Sequence, residues 1–213
     1  MITKHIKDVT MKVMSKVIVA LVGIVFFSAC NNGPEYVDSA DSRSYASMGL
    51  DYHDIESVVE KSVDSLLSSG YVQNIKQPKV LVISDIINDT MQNVDVEQLS
   101  RKITRNMRNS GKFKLSLAIS GTGTSSDKMI DSVRKQTRGN EEFDQYSVIE
   151  KGQLQGAGLS LSGKIWQKNV KVNGKQRTDY FFLLTLVDLA TGEVVWDDEA
   201  NIIKVGSNKS VSW

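Results

Sequence analysis

Side chains that commonly carry catalysis are scarce in this chain. Its 213 residues include one cysteine, Cys30, and two histidines. A serine or cysteine triad needs an imidazole base beside its nucleophile. His53 is the only histidine beyond residue 30, and it stands at the start of a helix pattern, away from any Ser or Asp cluster. A single cysteine excludes both an intramolecular disulfide framework and a multi-cysteine zinc site. Gly158 to Ile165 nearly spells the phosphate loop GxxxxGK(S/T), but Ile165 replaces the hydroxyl that would hold magnesium. The segment also alternates as a strand, and no helix follows it whose N-terminus could face phosphate. Gly121 to Ser126 reads as a flexible loop, with Ser126 capping the helix pattern that follows. Asp197-Asp198-Glu199 lies in a strand pattern, where neighbours point to opposite faces. That is poor geometry for a paired acid and base, so a solvated or partner-facing edge is expected. A non-enzymatic chain without cofactor or metal is expected.

Two features remain. The first is Cys30. Lys4, Lys7, Lys12 and Lys16 precede the uninterrupted apolar run Val17–Phe27. Eleven helical residues rise about 16 Å, whereas a bilayer span takes roughly 20. A basic start, a short apolar run and small residues make a secretory signal peptide. Phe27-Ser28-Ala29-Cys30 resembles the bacterial lipobox, with Phe27 where Leu is commoner. The resemblance implies that Cys30 is acylated and becomes the mature N-terminus. Two or three acyl chains make anchoring stable. By analogy with enterobacterial sorting, the absence of Asp after Cys30 favours the outer membrane. Met11 or Met14 as the start would give a signal of more usual length.

The second feature is a cluster of cations. The whole chain is nearly neutral, with 26 Lys and Arg against 25 Asp and Glu. It lacks the basic surplus that marks nucleic-acid binders. Residues 1–30 hold four Lys and one Asp, so the chain without them carries a net charge of −2. Against that background Arg101, Lys102, Arg105 and Arg108 stand together on one predicted helix. Arg101, Arg105 and Arg108 share the face opposite Leu99, Ile103 and Met107, a candidate electrostatic docking patch.

The elements that would position these groups follow from periodicity. Residues 1–29 are assigned to the signal and 30–50 to the acylated cysteine and a Ser- and Asp-containing tether. Residues 51–204 form a globular domain and 205–213 a tail. Twenty tether residues reach at most about 70 Å and span on the order of 25 Å as a coil. Ile55, Val58, Val59, Val63, Leu66 and Leu67 predict a first helix, capped by Asp54 and ended by Gly70. Val80–Ile83 with Ile86 and Ile87 predicts a strand buried on both faces. Asp95 with Gln98, and Val94 with Leu99, have capping-box and staple spacing for a second helix, which Gly111 ends. Phe113, Leu115 and Leu117 alternate as a half-buried strand. Short helices are expected over Ser126–Arg138 and Phe143–Gln155. Leu159–Trp166 alternates, Asn173-Gly174 is a hairpin turn, Tyr180–Val187 is apolar on both faces, and Thr191-Gly192 turns into a last strand. These elements predict an α/β sandwich whose mixed, mostly antiparallel sheet is flanked by helices.

Ser110-Gly-Lys-Phe-Lys-Leu115, Leu159-Ser-Leu-Ser-Gly-Lys-Ile165 and Asp188-Leu-Ala-Thr-Gly-Glu-Val-Val-Trp196, with the lipobox, resemble the LpoB family. These are outer-membrane lipoprotein activators of penicillin-binding proteins. The resemblance covers about residues 52–204 plus Cys30. It implies a fold like the N-terminal domain of TolB and a non-catalytic, monomeric domain. It further implies a periplasmic location on the outer membrane and a bifunctional penicillin-binding protein as partner, stimulated for cell-wall synthesis. Curli-type secretion lipoproteins share the Thr-Gly-Glu-Val-Val-Trp hairpin, so envelope assembly or secretion is the alternative. The tether here, with Pro34 as its one proline, is shorter than the Pro-rich tethers of well-known members. Of the family's functional residues only the acylated cysteine is carried over, onto Cys30.

Overall fold

The computed structural model describes residues 47–119 and 127–206, within the compact unit Ser42–Trp213. The lipobox, Cys30 and the loop Gly121–Ser126 lie outside the described residues. The elements run α1 (Tyr52–Ser68), α2 (Gly70–Gln73), β1 (Lys79–Asp89), α3 (Val96–Asn109), β2 (Phe113–Leu115), α4 (Lys128–Thr137), β3 (Leu159–Val172), β4 (Lys175–Asp188) and β5 (Val194–Gly206). The five strands form one sheet in the order β2-β1-β3-β4-β5. β1 is parallel to both β2 and β3, and the remaining pairs are antiparallel. The expected α/β architecture with a mixed sheet is therefore present.

The local chemistry explains the boundaries. α1 begins three residues earlier than its Ile/Val stripe suggests. Asp51, not Asp54, is its N-cap, and Asp54 is the reciprocal member of a capping box. Each carboxylate satisfies a backbone N–H that the helix leaves open. α1 also ends before Gly70: Ser69 closes it and caps the single turn of α2. α3 starts as expected, with Asp95 Oδ1 accepting from Gln98 N at 2.9 Å. α4 is capped by Asp127 rather than Ser126. Asn173 and Gly174 both adopt positive φ, 51° and 74°, as a two-residue hairpin turn requires.

One sheet face carries the core. Leu81, Ile83 and Ile86 of β1, Leu159, Leu161 and Ile165 of β3, and Tyr180, Phe182, Leu184 and Leu186 of β4 pack under α1 and α3. The pairing of β1 with β3 shifts register between Ile83 and Ile86. This irregularity separates Ile87 from the core stripe, and its side chain is 55% exposed rather than buried. Gly163 lies opposite the shift, where a Cβ would meet Leu184 Cδ2 at 2.8 Å and Leu183 O at 3.0 Å. The helix expected over 143–155 is absent; turns occupy 141–147. Exposed Phe143, Tyr146, Ile149 and Leu154 there have no core to bury against, so no amphipathic helix is selected. β2 stops at Leu115, and Leu117 is exposed.

Candidate partner-docking site

The shortness of β2 leaves an open groove beside α3. β2 pairs with β1 over Lys79–Leu81 alone, and Ser116 N adds one bond to Leu81 O at 3.0 Å. Above that point no described strand flanks β1 on this side. A groove of about 360 Å³ opens between α3 and the β1/β2 edge. Leu81 and Ile83 form its floor, Leu115, Ser116 and Leu117 one wall, and Glu97, Arg101, Thr104 and Arg108 the other.

α3 aims those arginines by simple periodicity. Leu99, Ile103 and Met107 are buried, which turns Arg101, Arg105 and Arg108 outward. Arg101 Nη1 lies 3.2 Å from Glu97 Oε1, one turn earlier, and both are exposed. Such an i, i+4 pair is weak and leaves most guanidinium donors available. Arg105 and Arg108 form no ion pair among the described residues. Guanidinium forks beside an apolar floor suit a carboxylate-bearing segment that also carries apolar side chains.

Lys102 belongs to a different structure. Its Nζ lies 3.1 Å from Glu56 Oε1 and 3.8 Å from the Tyr52 ring centroid, so it joins α3 to α1. Burial works against the charged ammonium, but Tyr52 and Glu56 outweigh it and raise the Lys102 pKa. The hydrogen bond from Lys102 lowers the Glu56 pKa correspondingly. The sequence groups Lys102 with the arginines, whereas the helix turn separates it from them.

Other polar clusters are structural. Lys79 Nζ donates to Tyr71 Oη at 2.8 Å and lies 3.4 Å from Asp188 Oδ2, holding α2, β1 and β4 together. Tyr71 raises the Lys79 pKa most, and the Ala190 backbone N–H does most to lower that of Asp188. At the other end Lys204 Nζ reaches Asp51 Oδ2 at 3.1 Å, Asp54 Oδ2, and Gly49 O at 2.6 Å. Tyr180 Oη donates to Met48 O at 3.0 Å and accepts from Gln92 Nε2 at 3.1 Å. These bonds fix the point where the chain enters the domain. Nothing in the sequence flagged them, because each unites residues more than eighty positions apart.

Of the remaining candidates, His53 is less exposed than a surface residue, and Asp198 is not left to solvent. His53 is half-buried on α1 and packs edge-on against Tyr52, with ring centroids 5.7 Å apart. Gly158 N donates to Val80 O, and β3 begins at Leu159, so the backbone of the GxxxxGK look-alike belongs to the sheet. Asp198 faces inward and accepts from Ser65 Oγ at 3.2 Å, while Asp197 and Glu199 are exposed. Among the described residues no group of three or more His, Cys, Asp or Glu could hold a metal ion. No described helix is long and apolar enough to cross a membrane.

Several solved structures are similar to this chain. The LpoB C-terminal domain of Salmonella enterica is 15% identical, with 70% of this chain and 98% of that one covered and a TM-score of 0.43. The Escherichia coli LpoB C-terminal domain is 16% identical, covering 70% and 94%, with a TM-score of 0.37. The NMR structure of E. coli LpoB is 15% identical, covering 84% and 81%, with a TM-score of 0.41. No curated protein sequence matches. A family model described as "Peptidoglycan-synthase activator LpoB" matches residues 54–202, from the first turn of α1 into β5. The chain therefore belongs to the LpoB family of peptidoglycan-synthase activators.

Proposed function

We propose that this chain is a lipid-anchored periplasmic protein of the outer membrane that binds and stimulates a bifunctional penicillin-binding protein. Family membership over nearly the whole domain is the observation that carries the reading. The family is named for activating a synthase rather than for synthesis itself, which accords with a chain poor in catalytic side chains. The groove lined by Arg101 and Arg108, with exposed Arg105 on the same helix face, is the docking surface in this reading, and an acidic, partly apolar segment of the synthase is its occupant. Stimulation is then a population shift: the chain binds the active form of the synthase more tightly and enriches it. Cys30 carries the acyl chains.

The test is capture of the synthase by the membrane-anchored chain, with glycan polymerisation measured alongside. Arg101→Glu/Arg105→Glu/Arg108→Glu should weaken capture at least about thirtyfold, since losing one partner of a charge pair buried in the complex costs about 2 kcal/mol or more. All three residues are exposed, so the fold should survive. Unchanged capture by a folded variant would remove the groove from the reading. Recovery of secretion components alone would remove the synthase.

A second reading, envelope assembly, is favoured by one observation. β5 is a 13-residue edge strand, and no described strand pairs with its outer side. Such an edge can template pairing with another copy. A detergent-stable oligomer would favour assembly, and a monomer that co-purifies with a synthase would favour activation.

A further inference from the structure

The β3–β4 hairpin carries a second basic surface. From Lys164 to Arg177 the sequence has five basic residues and no acidic one. β1 leaves the sheet at the Asp89–Trp166 pair, so β3 runs on beyond it with only β4 beside it. Six residues from Trp166 to Val172, at about 3.3 Å each, carry the tip roughly 20 Å further. Lys168, Lys171 and Lys175 are exposed there and form no ion pair among the described residues. Strand register places apolar side chains on the same face as Lys168 and Lys175, while Lys171 projects from the other face of the hairpin. Val170 pairs with Arg177, which pairs with Val205, and Lys168 pairs with Asp179, which pairs with Ile203. Val170, Val172, Ile203 and Val205 are all exposed on the face that α1 and α3 do not cover.

The chain enters the domain at the base of this hairpin. Met48 O is held by Tyr180 of β4 and Gly49 O by Lys204 of the neighbouring β5. The segment between Cys30 and Ser47 spans about 60 Å at most and on the order of 25 Å as a coil. The hairpin tip and the point of chain entry therefore lie at the same end of the domain.

From this juxtaposition we infer that the hairpin tip is a membrane-contact surface, its lysines on anionic phospholipid headgroups and its valines in the interfacial layer. The inference rests on the anchored-lipoprotein part of the proposed function and is independent of the synthase. Its consequence is orientation. The entry end lies against the bilayer, and α3 runs away from it, about 20 Å from Val96 to Asn109.

Vesicle sedimentation tests it without the acyl chains. The chain from residue 30 onward, carrying Cys30→Ser, is mixed with phosphatidylglycerol/phosphatidylethanolamine vesicles and with pure phosphatidylcholine vesicles. Binding should occur to the anionic vesicles alone and fall with added salt. Lys168→Glu/Lys171→Glu/Lys175→Glu should weaken it about a hundredfold, each lysine contributing on the order of fivefold. The corresponding triple Arg variant should bind as before. No binding to anionic vesicles, equal binding to neutral ones, or an unaffected Glu variant would overturn the inference. A Glu variant that changes the sedimentation of the chain without vesicles would also overturn it, assigning the tip to a second copy. Synthase stimulation in detergent is the separate readout: the Glu variant should retain it, and its absence from the unsubstituted chain would sink the synthase reading while the vesicle result stands.

Discussion

Lys204→Met cuts the knot at the chain's entry into the domain. The Lys204 side chain is 12% exposed, and it neutralises two carboxylates of α1's capping box, Asp51 and Asp54, themselves 27% and 15% exposed. Methionine keeps the length of the stem and removes the charge. Two neighbouring carboxylates then face each other without a cation, and Gly49 O loses its donor. Removing one partner of a fully buried pair costs about 3–5 kcal/mol. Partial exposure here brings the expected loss to about 2–3 kcal/mol. For a domain of this size that lowers Tm by about 4–12 °C. Chemical and thermal unfolding at neutral pH measure it, and Lys204→Met/Asp54→Asn should recover about half by relieving the repulsion. The pH dependence has a definite sign. Burial raises the Asp51 pKa, but the Asp54 backbone N–H and Lys204 outweigh it and hold the carboxyl below its ordinary range. Its contribution is present above that range and lost as pH falls through the depressed folded value. The gap between the native chain and Lys204→Met should therefore close in acid. A loss under about 0.5 kcal/mol at neutral pH, or a gap that persists in acid, would refute the reasoning.

Three further outcomes are expected. Gly163→Ala should destabilise by about 1–3 kcal/mol through overpacking, because the new methyl would sit 2.8 Å from Leu184 Cδ2 with backbone close behind; equilibrium unfolding checks this. Cys30→Ala should release the chain from the membrane fraction, and persistence there would refute the acyl anchor. Asp95→Ala should cost about 1 kcal/mol by uncapping α3, read as a shift in denaturation midpoint with unchanged slope.

Much of the fold was legible because the signals were local. The Leu99/Ile103/Met107 stripe, the Asp95 cap and the Asn173-Gly174 turn each act within a few residues, and the structure contains all three. The misplaced elements depended on distant neighbours. Asp54 looks like the cap of α1, yet Asp51 takes that role, and Lys204, 153 residues away, neutralises it. Ile87 looks buried, but the register shift opposite Gly163 separates it from the core stripe. Phe143–Gln155 carries helix-compatible apolar residues, but Phe143, Tyr146, Ile149 and Leu154 stay exposed and no helix forms there.

The candidate site divides along the same line. Sequence alone determined that Arg101, Arg105 and Arg108 face away from Leu99, Ile103 and Met107, because helical periodicity is a property of the chain itself. It also determined the scarcity of bases and nucleophiles, a matter of composition. Only the tertiary structure decided that Lys102 belongs to α1, through Glu56 and Tyr52, and that a groove opens beside the arginines. The groove exists because β2 pairs with β1 for three residues and then leaves it. Strand pairing is a long-range agreement between segments more than thirty residues apart, and no local pattern in either segment encodes where it stops.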